Sequence, residues 1–533
     1  MTRFVLPPCE ATRMIIRIPG RLCRLALGLC LAATASGTMA ASALSPWVGT
    51  WGVAQLSNGN ANYAGKTLRE VVHTSIAGSS VRVQISNEFS DQPLSITDVR
   101  VALRSSGSST QAGSDRQLTF NGQPGVVVPV GQRISSDGVD FNVPALSDVT
   151  VSFYVNGSTN VITGHSFSNQ DKYVADGDVS AATSIQAQTN GDYAFLANLD
   201  VQSASAQGTL VTFGASITDG FDSSYNANKR WPNDLATRFN NAGQQVGIVN
   251  VGISGNNLLQ DGSGQSGVHR FARDVLAQPG VRWVIFSDDP INDLGSGNPQ
   301  ATFANLSSAI EGLIGQAHAQ GIRFYCSTLT PFEGSGGWTA DREVIREQLN
   351  DWVKSSASGC DGVIDQDTAT HDPSAPTRYL PAYDAGDHLH PNDTGYQAIA
   401  NAVNLALFTP ATLPIIATPT GCGTIGTGEG IVPGQTVTSC DGGYVLNMQL
   451  DGNLVLYKSN GTPLWASNTV NQPAAQADLT ADGNFVVLGA LGNVLWQSGS
   501  GGQTAARLFV QGDGNTVIYN NDGPVWSTGT AGE

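Results

Sequence analysis

Positive charge is scarce in this sequence, and that scarcity narrows the classes of partner. The 533 residues carry 26 Lys and Arg against 43 Asp and Glu, a formal net charge of -17, and only 13% of them are charged. No basic stripe follows the amino-terminal segment, so nucleic acid and anionic membrane are poor candidate partners. The hydrophobic fraction of 40% is ample for burial, which argues against a disordered chain.

The apolar run nearest the start is also short. It extends from Leu25 to Ala35, too few residues to span a bilayer as a permanent helix. Three arginines precede it and small residues follow, which is typical of a secretory signal peptide. We therefore predict a signal peptide over residues 1–43, with translation starting at Met1 or Met14. The expected product is secreted, with no stable membrane insertion.

Cysteine is sparse, and four of the seven cysteines follow the predicted signal peptide. An even number in an exported protein predicts disulfides, and four cysteines allow three pairings. We favour Cys326 with Cys360 and Cys422 with Cys440, because each pair then lies inside one predicted domain. No histidine lies near these cysteines at ligand spacing, so no metal site is predicted.

The rest of the sequence changes pattern twice. Short alternating strands over residues 45–203 predict a β-sandwich. Residues 206–408 alternate apolar strands with helices, which predicts an α/β domain with a parallel sheet covered on both faces. A proline-rich linker at 409–421 precedes an all-β region at 422–533. Within 206–408 the predicted strands are Leu210–Phe213, Gly247–Val251, Trp283–Ser287, Arg323–Thr328 and Gly362–Asp365, and the predicted helices include Thr302–Gln320, Asp341–Ser356 and Asp393–Leu407.

The α/β region contains the residue types of a serine hydrolase. Ser216 follows the first predicted strand in Gly-Ala-Ser-Ile-Thr-Asp-Gly, and His390 lies near the end of the region with Asp387 three residues before it. A serine hydroxyl needs an imidazole to accept its proton and a carboxylate to orient that imidazole. Gly255 and Asn292 follow the next two strands, and with the amide of Ser216 they could hold an oxyanion.

These four blocks, in this order, resemble the SGNH hydrolases, also called the GDSL family of esterases and lipases. The resemblance covers about Gly208 to Leu407. It implies a flavodoxin-like three-layer sandwich, with Ser216 as nucleophile, His390 as general base and Asp387 as its orienting acid. It also implies Gly255 and Asn292 as oxyanion donors.

Two residues depart from the family's pattern. Ala215 stands where the family usually has aspartate, and we expect a modest effect because the nucleophile is unchanged. Pro290 stands where glycine usually precedes the asparagine by two, which puts the orientation of Asn292 in doubt. The acidic pair Asp288 and Asp289 should disfavour anionic substrates.

The carboxy-terminal region contains an internal repeat, marked by Asp451, Asp482 and Asp513 at steps of 31 residues. Its signature Gln-x-Asp-x-Asn-x-Val-x-Tyr is similar to that of the bulb-type mannose-binding lectins, which implies a β-prism fold and sugar binding without a metal. The middle copy has Thr480 and Leu488 instead of Gln and Tyr, so we expect no strong binding there. In the outer copies the alternative is a structural role, since Asp-Gly-Asn commonly forms turns. The outer copies are Gln449, Asp451, Asn453, Val455 and Tyr457, and Gln511, Asp513, Asn515, Val517 and Tyr519.

The sequence therefore predicts a secreted serine esterase that needs no cofactor and no metal. Its expected substrate is a carboxylic ester, an acyl group on a glycan, with a lectin module holding the enzyme on mannose-containing polysaccharide. One alternative is a lipase or phospholipase acting on lipid esters. Another is a glycan-binding adhesin with a decayed hydrolase domain, suggested by Ala215 and Pro290.

Overall fold

The computed structural model describes residues 47–409, 413–470, 474–489 and 494–533. Within them the architecture changes twice, at the places where the sequence pattern changes. The predicted signal peptide at residues 1–43 lies outside the described residues, as do residues 410–412 of the predicted linker.

Residues 47–202 form antiparallel sheets, because apolar and polar side chains alternate along their strands. In Gly78–Ser86, for example, Val81, Val83 and Ile85 are fully buried. The strands are β1 (Trp47–Gly52), β2 (Leu56–Asn60), β3 (Lys66–His73), β4 (Gly78–Ser86), β5 (Leu94–Ser106), β6 (Ser109–Thr110), β7 (Arg116–Gln117), β8 (Gly125–Val128), β9 (Arg133–Ser135), β10 (Val139–Val143), β11 (Asp148–Val155), β12 (Val161–His165), β13 (Lys172–Asp176), β14 (Gln188–Asn190), β15 (Tyr193–Ala194) and β16 (Leu196–Gln202).

These strands form three sheets around a common core. The first has the order β1-β16-β4-β10 with β9 against β4, the second β14-β13-β3-β11-β5-β6 with β7 and β8 against β5, and the third β15-β12-β2. Side chains from all three contribute to one buried cluster, among them Val83, Val101 and Ile162. We refer to residues 47–202 as the amino-terminal β region.

The following residues form a five-stranded parallel sheet with helices on both faces. Leu235 and Ile399 pack on one face, and Leu313 and Leu349 pack on the other. The strands are β17 (Gly208–Phe213), β18 (Val246–Asn250), β19 (Val281–Phe286), β20 (Arg323–Ser327) and β21 (Gly362–Ile364), and β22 (His371–Asp372) and β23 (Ala375–Tyr379) form a separate pair; the helices are α1 (Ser216–Asp219), α2 (Trp231–Asn241), α3 (Gly267–Phe271), α4 (Asp289–Gly295), α5 (Phe303–Ala319), α6 (Ala340–Lys354), α7 (Gln366–Thr370) and α8 (Asp393–Ala402), with a π-helical turn at Ala272–Leu276 and 3₁₀ turns at Ser356–Ser358 and Leu405–Phe408.

The parallel sheet has the strand order β18-β17-β19-β20-β21. Counted along the chain this order is 2-1-3-4-5, as in flavodoxin-like sheets. All five predicted strands are confirmed, as are the helices predicted on either side of β20. The helix predicted to reach Leu407 ends instead at Ala402, because the side chain of Asn404 accepts a hydrogen bond from the amide of Ala406 and starts a separate 3₁₀ turn.

The amino-terminal β region packs directly against the parallel sheet. The amide of Gly49 donates to Oγ1 of Thr209 over 2.9 Å. The amide of Ile248 donates to Oγ of Ser75 over 2.8 Å. These bonds join β1 and the residue Ser75, which follows β3, to the parallel sheet, so the two regions share a buried interface.

The carboxy-terminal residues form three four-stranded antiparallel sheets, one for each copy of the repeat. Trp465, Trp496 and Trp526 pack edge to face around one centre, with ring centroids 5.1, 5.6 and 5.9 Å apart. The strand orders are β24-β33-β34-β35, β25-β30-β31-β32 and β26-β27-β28-β29, where β24 is Thr424–Gly426, β25 Gly430–Ile431, β26 Thr436–Thr438, β27 Tyr444–Met448, β28 Leu454–Lys458, β29 Pro463–Ala466, β30 Ala474–Leu479, β31 Phe485–Gly489, β32 Val494–Gln497, β33 Arg507–Val510, β34 Thr516–Asn520 and β35 Gly523–Ser527.

Both favoured disulfides are present, Cys326 with Cys360 and Cys422 with Cys440. The first joins β20 to the residues just before β21. None of the helices in the described part of the chain has the length and hydrophobicity that a membrane crossing needs.

Gly247 should be intolerant of a side chain, because a Cβ there would collide with the carbonyl oxygen of Gly49 and with Val48. We expect Gly247→Ala to destabilise the protein by about 1–3 kcal/mol, the usual cost of overpacking. Gly315→Ala is the matched control, since Gly315 lies in α5 with open space around it and alanine should stabilise the helix by about 0.5–1 kcal/mol. Thermal denaturation measures both, and equal melting temperatures for Gly247→Ala and wild type would contradict the packing described.

Candidate active site

Three loops meet at one edge of the parallel sheet. They follow β17, β18 and β19, which lie side by side with β17 in the middle. The carboxyl ends of adjacent parallel strands share an edge, and ligands bind such sheets where the strand order reverses. Ser216, Gly255 and Asn292 lie on these three loops, in the order that the sequence predicts.

Ser216, His390 and Asp387 form a continuous chain of hydrogen bonds. Oγ of Ser216 lies 2.8 Å from Nε2 of His390. Nδ1 of the same ring lies 2.6 Å from Oδ2 of Asp387. Ser216 and His390 are buried, whereas the Asp387 side chain is 43% exposed. The structure thus brings together the three residues predicted as nucleophile, base and acid.

Asp384 holds the loop around His390 in its conformation through hydrogen bonds. Its Oδ1 accepts hydrogen bonds from the amides of Gly386 and His388, and its Oδ2 lies 2.5 Å from Nδ1 of His388. His388 has a left-handed backbone, with φ of 63°, and its side chain is 55% exposed. His388 is therefore paired with Asp384, and only His390 reaches Ser216.

Asp387 is held in its ionised form. Partial burial acts to raise its pKa, but hydrogen bonds from the amides of His390 and Leu389 and from the His390 ring outweigh that effect, so the pKa lies below its usual value. A second carboxylate, Asp222, lies within 4.8 Å of both Asp387 and His390. The ring of Phe221 covers the imidazole of His390, with centroids 4.7 Å apart. The imidazole of His390 is therefore enclosed by Asp387, Asp222 and Phe221.

Asp288 fixes the turn that presents Ser216. Its Oδ1 accepts hydrogen bonds from the amide of Ala215 and the hydroxyl of Thr218, and its Oδ2 accepts one from the amide of Ile217. Gly214 lies so close to this carboxylate that a Cβ there would collide with it. Ala215 therefore lies in a turn that is held in place by the carboxylate of Asp288.

The loop after β18 is tied to the same turn. The amide of Ile253 donates to the carbonyl of Gly214 over 3.1 Å. Gly255 is exposed and has φ of 79°, a conformation that favours glycine. Among the described residues, no protein group accepts a hydrogen bond from the amides of Ser216 and Gly255. Both amides are therefore free to donate to a bound group.

Asn292 lies in α4, and its orientation is fixed by a bond to the neighbouring loop. Its Nδ2 donates to the carbonyl of Asn256 over 2.8 Å, which leaves the second N–H of the amide available. Pro290 lies in the first turn of this helix, where proline needs no amide hydrogen bond. Asp293 is buried and accepts hydrogen bonds from the amides of Leu258 and Leu259, so it braces the loop after β18.

A cleft of 330 Å³ opens beside these residues. It extends between Asn292 and Asp387, so it lies between the predicted oxyanion donor and the end of the hydrogen-bonded chain. Its wall combines apolar side chains with a glycine-rich segment: Ile291, Asn292, Gly295, Phe332, Ser335, Gly336, Gly337, Asp387 and Leu389.

The outer two copies of the repeat present similar polar groups. Nε2 of Gln449 donates to the hydroxyl of Tyr457 over 2.8 Å, and Gln511 donates to Tyr519 over 3.1 Å. A cleft of 540 Å³ lies beside Gln511 and Tyr519. Val455 and Val517 are only 3% exposed, so the polar side chains carry most of the surface available to a ligand.

The middle copy uses its polar groups internally. The hydroxyl of Thr480 donates to Asp482, and Nδ2 of Asn484 donates to Oε1 of Gln497 over 2.9 Å. Leu488 is buried. The hydroxyl of Thr480 and one N–H of Asn484 are therefore already used within this copy.

The asparagine of each copy also has a structural role that the sequence pattern did not reveal. Oδ1 of Asn453 accepts hydrogen bonds from the hydroxyl of Ser467 and the amide of Thr469, and the corresponding atoms of Asn484 and Asn515 do the same in their copies. The asparagine oxygens therefore hold the fold together, which was the alternative to sugar binding. The side-chain amides of Gln449 and Gln511 instead donate to the hydroxyls of Tyr457 and Tyr519.

Ser216, His390 and Asp387 are thus linked by hydrogen bonds at the edge of the parallel sheet. Residues 212–398 match the sequence model of the GDSL-like Lipase/Acylhydrolase family. The chain therefore carries a GDSL-like lipase/acylhydrolase domain, as the resemblance implied.

Solved structures with similarity to parts of the chain fall into two groups. A lipolytic protein of the G-D-S-L family from Desulfitobacterium hafniense is 21% identical over 37% of this chain and 97% of its own, with a TM-score of 0.29. The mannose-specific agglutinin from snowdrop (Galanthus nivalis) bulbs, solved with methyl-α-D-mannoside, is 35% identical over 20% of this chain and 96% of its own, with a TM-score of 0.18. A mannose-binding lectin from Gastrodia elata is 31% identical over 20% and 98%, with a TM-score of 0.19. No curated protein sequence matches the chain.

The sequence analysis assigned no structural role to several residues at the site. Asp219 and Asp288 hold the nucleophile turn and its neighbours, and Phe221 covers the imidazole. Asp219 stands beside the motif and Asp288 beside Asn292, so a search for carboxylates flanking the blocks would have found both. His165 belongs to the amino-terminal β region, and no spacing rule connects it to Ser216.

Asp289 gives the site a testable pH dependence. Burial raises its pKa to about 7, although the guanidinium of Arg270, 3.6 Å away, opposes the shift. Because the folded pKa exceeds the ordinary 3.8, the folded protein binds a proton between about pH 4 and 7 that the unfolded chain lacks, and this stabilisation is lost as the pH rises through 7. The melting temperature of Asp289→Asn should therefore rise relative to that of wild type as the pH is increased from 5 to 8.

The control for this experiment is Asp351→Asn, on an exposed position of α6. Its melting temperature should keep a constant difference from wild type over the same range. A constant difference for Asp289→Asn as well would show that Asp289 is ionised throughout.

Proposed function

We propose that the protein is a serine esterase with Ser216 as nucleophile, His390 as general base and Asp387 as the acid that orients it. The observation that carries the proposal is the chain of contacts of 2.8 Å and 2.6 Å joining these residues inside a segment that matches a lipase/acylhydrolase family. Such contacts allow the imidazole to accept the serine proton as the oxygen attacks a carbonyl.

The reaction follows from the positions of the other groups. Attack by Oγ of Ser216 on an ester carbonyl creates a negatively charged oxygen. The free amides of Ser216 and Gly255 and the second N–H of Asn292 would donate to it, which is the largest single contribution in many such enzymes. His390 then protonates the departing alcohol, water hydrolyses the acyl-enzyme with His390 again as base, and no cofactor is required.

We propose a short acyl group as the portion transferred, held in the 330 Å³ cleft beside Asn292. The glycine-rich segment and the apolar residues Ile291, Phe332 and Leu389 form a wall suited to a small hydrophobic group. The carboxylates of Asp222 and Asp387 beside the imidazole would repel anionic substrates. Neutral esters, such as acylated sugars, fit this site better than phospholipids.

We propose that the carboxy-terminal region binds mannose-type sugars through its outer two copies. The motif, the paired Gln and Tyr side chains and the open cleft beside Tyr519 support two sites, and the occupied donors of the middle copy argue against a third. Solved lectins with similarity to the chain are described as mannose-binding. This region would hold the esterase on a mannose-containing polysaccharide.

The proposed organisation is a secreted chain of three domains. Residues 45–203 would form a β-sandwich, 206–408 the hydrolase and 422–533 a β-prism, with the signal peptide at 1–43 removed and a linker at 409–421. The three four-stranded sheets and the packing of Trp465, Trp496 and Trp526 around one centre support the β-prism. The adhesin alternative is disfavoured, because Ser216 and His390 retain hydrogen-bonding geometry and Pro290 lies where a helix accepts it.

Ser216→Ala should abolish hydrolysis of 4-nitrophenyl acetate, with kcat/KM falling by about 10³-fold or more, because no other group can form the acyl-enzyme. Retention of the same variant on a mannose resin should be unchanged and provides the folding control. Wild-type turnover should decline from acetate to palmitate esters. Full activity in the variant would exclude the proposed nucleophile, and a preference for palmitate would favour the lipase alternative.

Replacing the paired Gln and Tyr of the outer copies with the residues of the middle copy tests the lectin sites. The variant Gln449→Thr, Tyr457→Leu, Gln511→Thr, Tyr519→Leu should lose retention on mannose resin while esterase activity stays at the wild-type level. The middle copy folds with Thr480 and Leu488, so these substitutions suit the sheets.

The matched control is Gln497→Ala in the middle copy, where the first copy has Ala466 at the corresponding position. It should leave retention unchanged. Asparagine variants are avoided because Asn453 and Asn515 hold the sheets together. Undiminished retention of the fourfold variant would rule out the proposed sugar sites.

A further inference from the structure

A buried histidine joins the amino-terminal β region to the loops of the candidate active site. His165 ends β12 and is 2% exposed. Its Nδ1 lies 2.9 Å from the carbonyl oxygen of Ala54, and its Nε2 lies 3.0 Å from Oδ1 of Asp219. Asp219 is itself only 3% exposed and is the last residue of α1, the short helix that begins at Ser216.

Both nitrogens of this ring face oxygen acceptors. A neutral imidazole has one N–H donor and one nitrogen that can only accept, so it satisfies one of these contacts. The carbonyl of Ala54 can only accept, which places a proton on Nδ1. The contact at Nε2 then needs one further proton, carried by the ring or by the carboxyl group of Asp219.

The other oxygen of Asp219 holds the loop that carries Gly255. Oδ2 accepts a hydrogen bond from the amide of Ser254 over 3.0 Å and another from its hydroxyl over 2.7 Å. One carboxylate therefore ties the nucleophile helix to the residue just before the proposed oxyanion donor. The imidazole of His165 occupies the remaining side of that carboxylate and fixes its orientation.

Arg230 adds a second link across the same interface. Its Nε donates to the carbonyl of Asp219 over 2.5 Å, and its guanidinium also donates to the carbonyl of Ser168 in the amino-terminal β region. A small cavity at this place is lined by Asp219 and Arg230 together with His73. Arg230, His73 and Tyr193 are thus ionisable groups that line the cavity beside the pair.

We propose that His165 is a positioning residue of the esterase, acting through Asp219 and Ser254 on the amide of Gly255. The proposal rests on the proposed function, and it gives the amino-terminal β region a role in catalysis that no motif predicts. His165 touches neither Ser216 nor His390, so its removal should leave substrate binding intact. The loss should fall on kcat, because a displaced oxyanion donor weakens the transition state and not the ground state.

Two conservative variants test separately the contacts made by the two ring nitrogens of His165. Glutamine places an amide donor near the position of Nε2 and keeps the bond to Asp219, whereas asparagine places it near Nδ1 and keeps only the bond to Ala54. We expect His165→Asn to lower kcat on 4-nitrophenyl acetate by about 10- to 100-fold with KM changed less than about twofold. His165→Gln should retain more activity than His165→Asn, and Asp219→Asn combined with His165→Asn should be no worse than the poorer single variant.

His318→Asn is the matched control, since His318 forms a similar pair with Asp361 at the surface, away from these loops. Its kcat should equal that of wild type. Equal kcat for His165→Asn and wild type would overturn the positioning role. Equal losses of kcat in His165→Asn and His165→Gln, explained by lower melting temperatures alone, would overturn it as well. If the wild type hydrolyses no ester, the proposed function fails instead.

The position of the proton on His165 can be measured without any activity. In protein labelled with ¹⁵N-histidine, the chain gives seven histidine ring systems, and the signals absent from His165→Asn identify this one. Nδ1 of His165 should carry a proton, because it faces the carbonyl oxygen of Ala54. A bare Nδ1 would contradict the contacts described.

Discussion

The hydrogen bond between Ser216 and His390 is the contact on which the proposed function of this protein depends. It joins residues 174 positions apart in the sequence. No local preference brings them together. The parallel sheet does so, because it places the turn after β17 at the same edge as the loop that precedes α8. The fold therefore supplies the proximity, and the loops supply only the final orientation.

Buried carboxylates provide that orientation. Asp219, Asp288 and Asp293 each use both side-chain oxygens to accept hydrogen bonds, mainly from backbone amides in the loops after β17 and β18. Loops at the edge of a sheet lack strand partners for their amides, and an unpaired buried amide is costly. Each carboxylate satisfies such groups and fixes one loop relative to the next. The cost is a concentration of acidic groups, and the guanidinium of Arg270 lies against one of them, Asp289.

Much of this arrangement could be predicted from the sequence, and the rest depends on contacts between distant segments. The strands of the parallel sheet, both disulfides and the contacts of Ser216 with His390 and of His390 with Asp387 follow from patterns or motifs within short stretches. The bracing of the loops does not, because Asp219 reaches both Ser254 and His165, and His165 lies in another region. The early end of α8 also escaped prediction, since it depends on a side chain that bonds to nearby backbone. For Asn453 the sequence left a structural role open as the alternative, and the structure shows that its side-chain oxygen has one.

The most direct test of the account is covalent labelling of the protein with a fluorophosphonate, followed by peptide mass spectrometry. We predict one adduct, on the hydroxyl of Ser216, formed rapidly in the wild type and lost in His390→Ala, because the oxygen reacts only when the imidazole takes its proton. The absence of an adduct, an adduct on another serine, or equal labelling in His390→Ala would contradict the central claim that these two residues form the reactive centre.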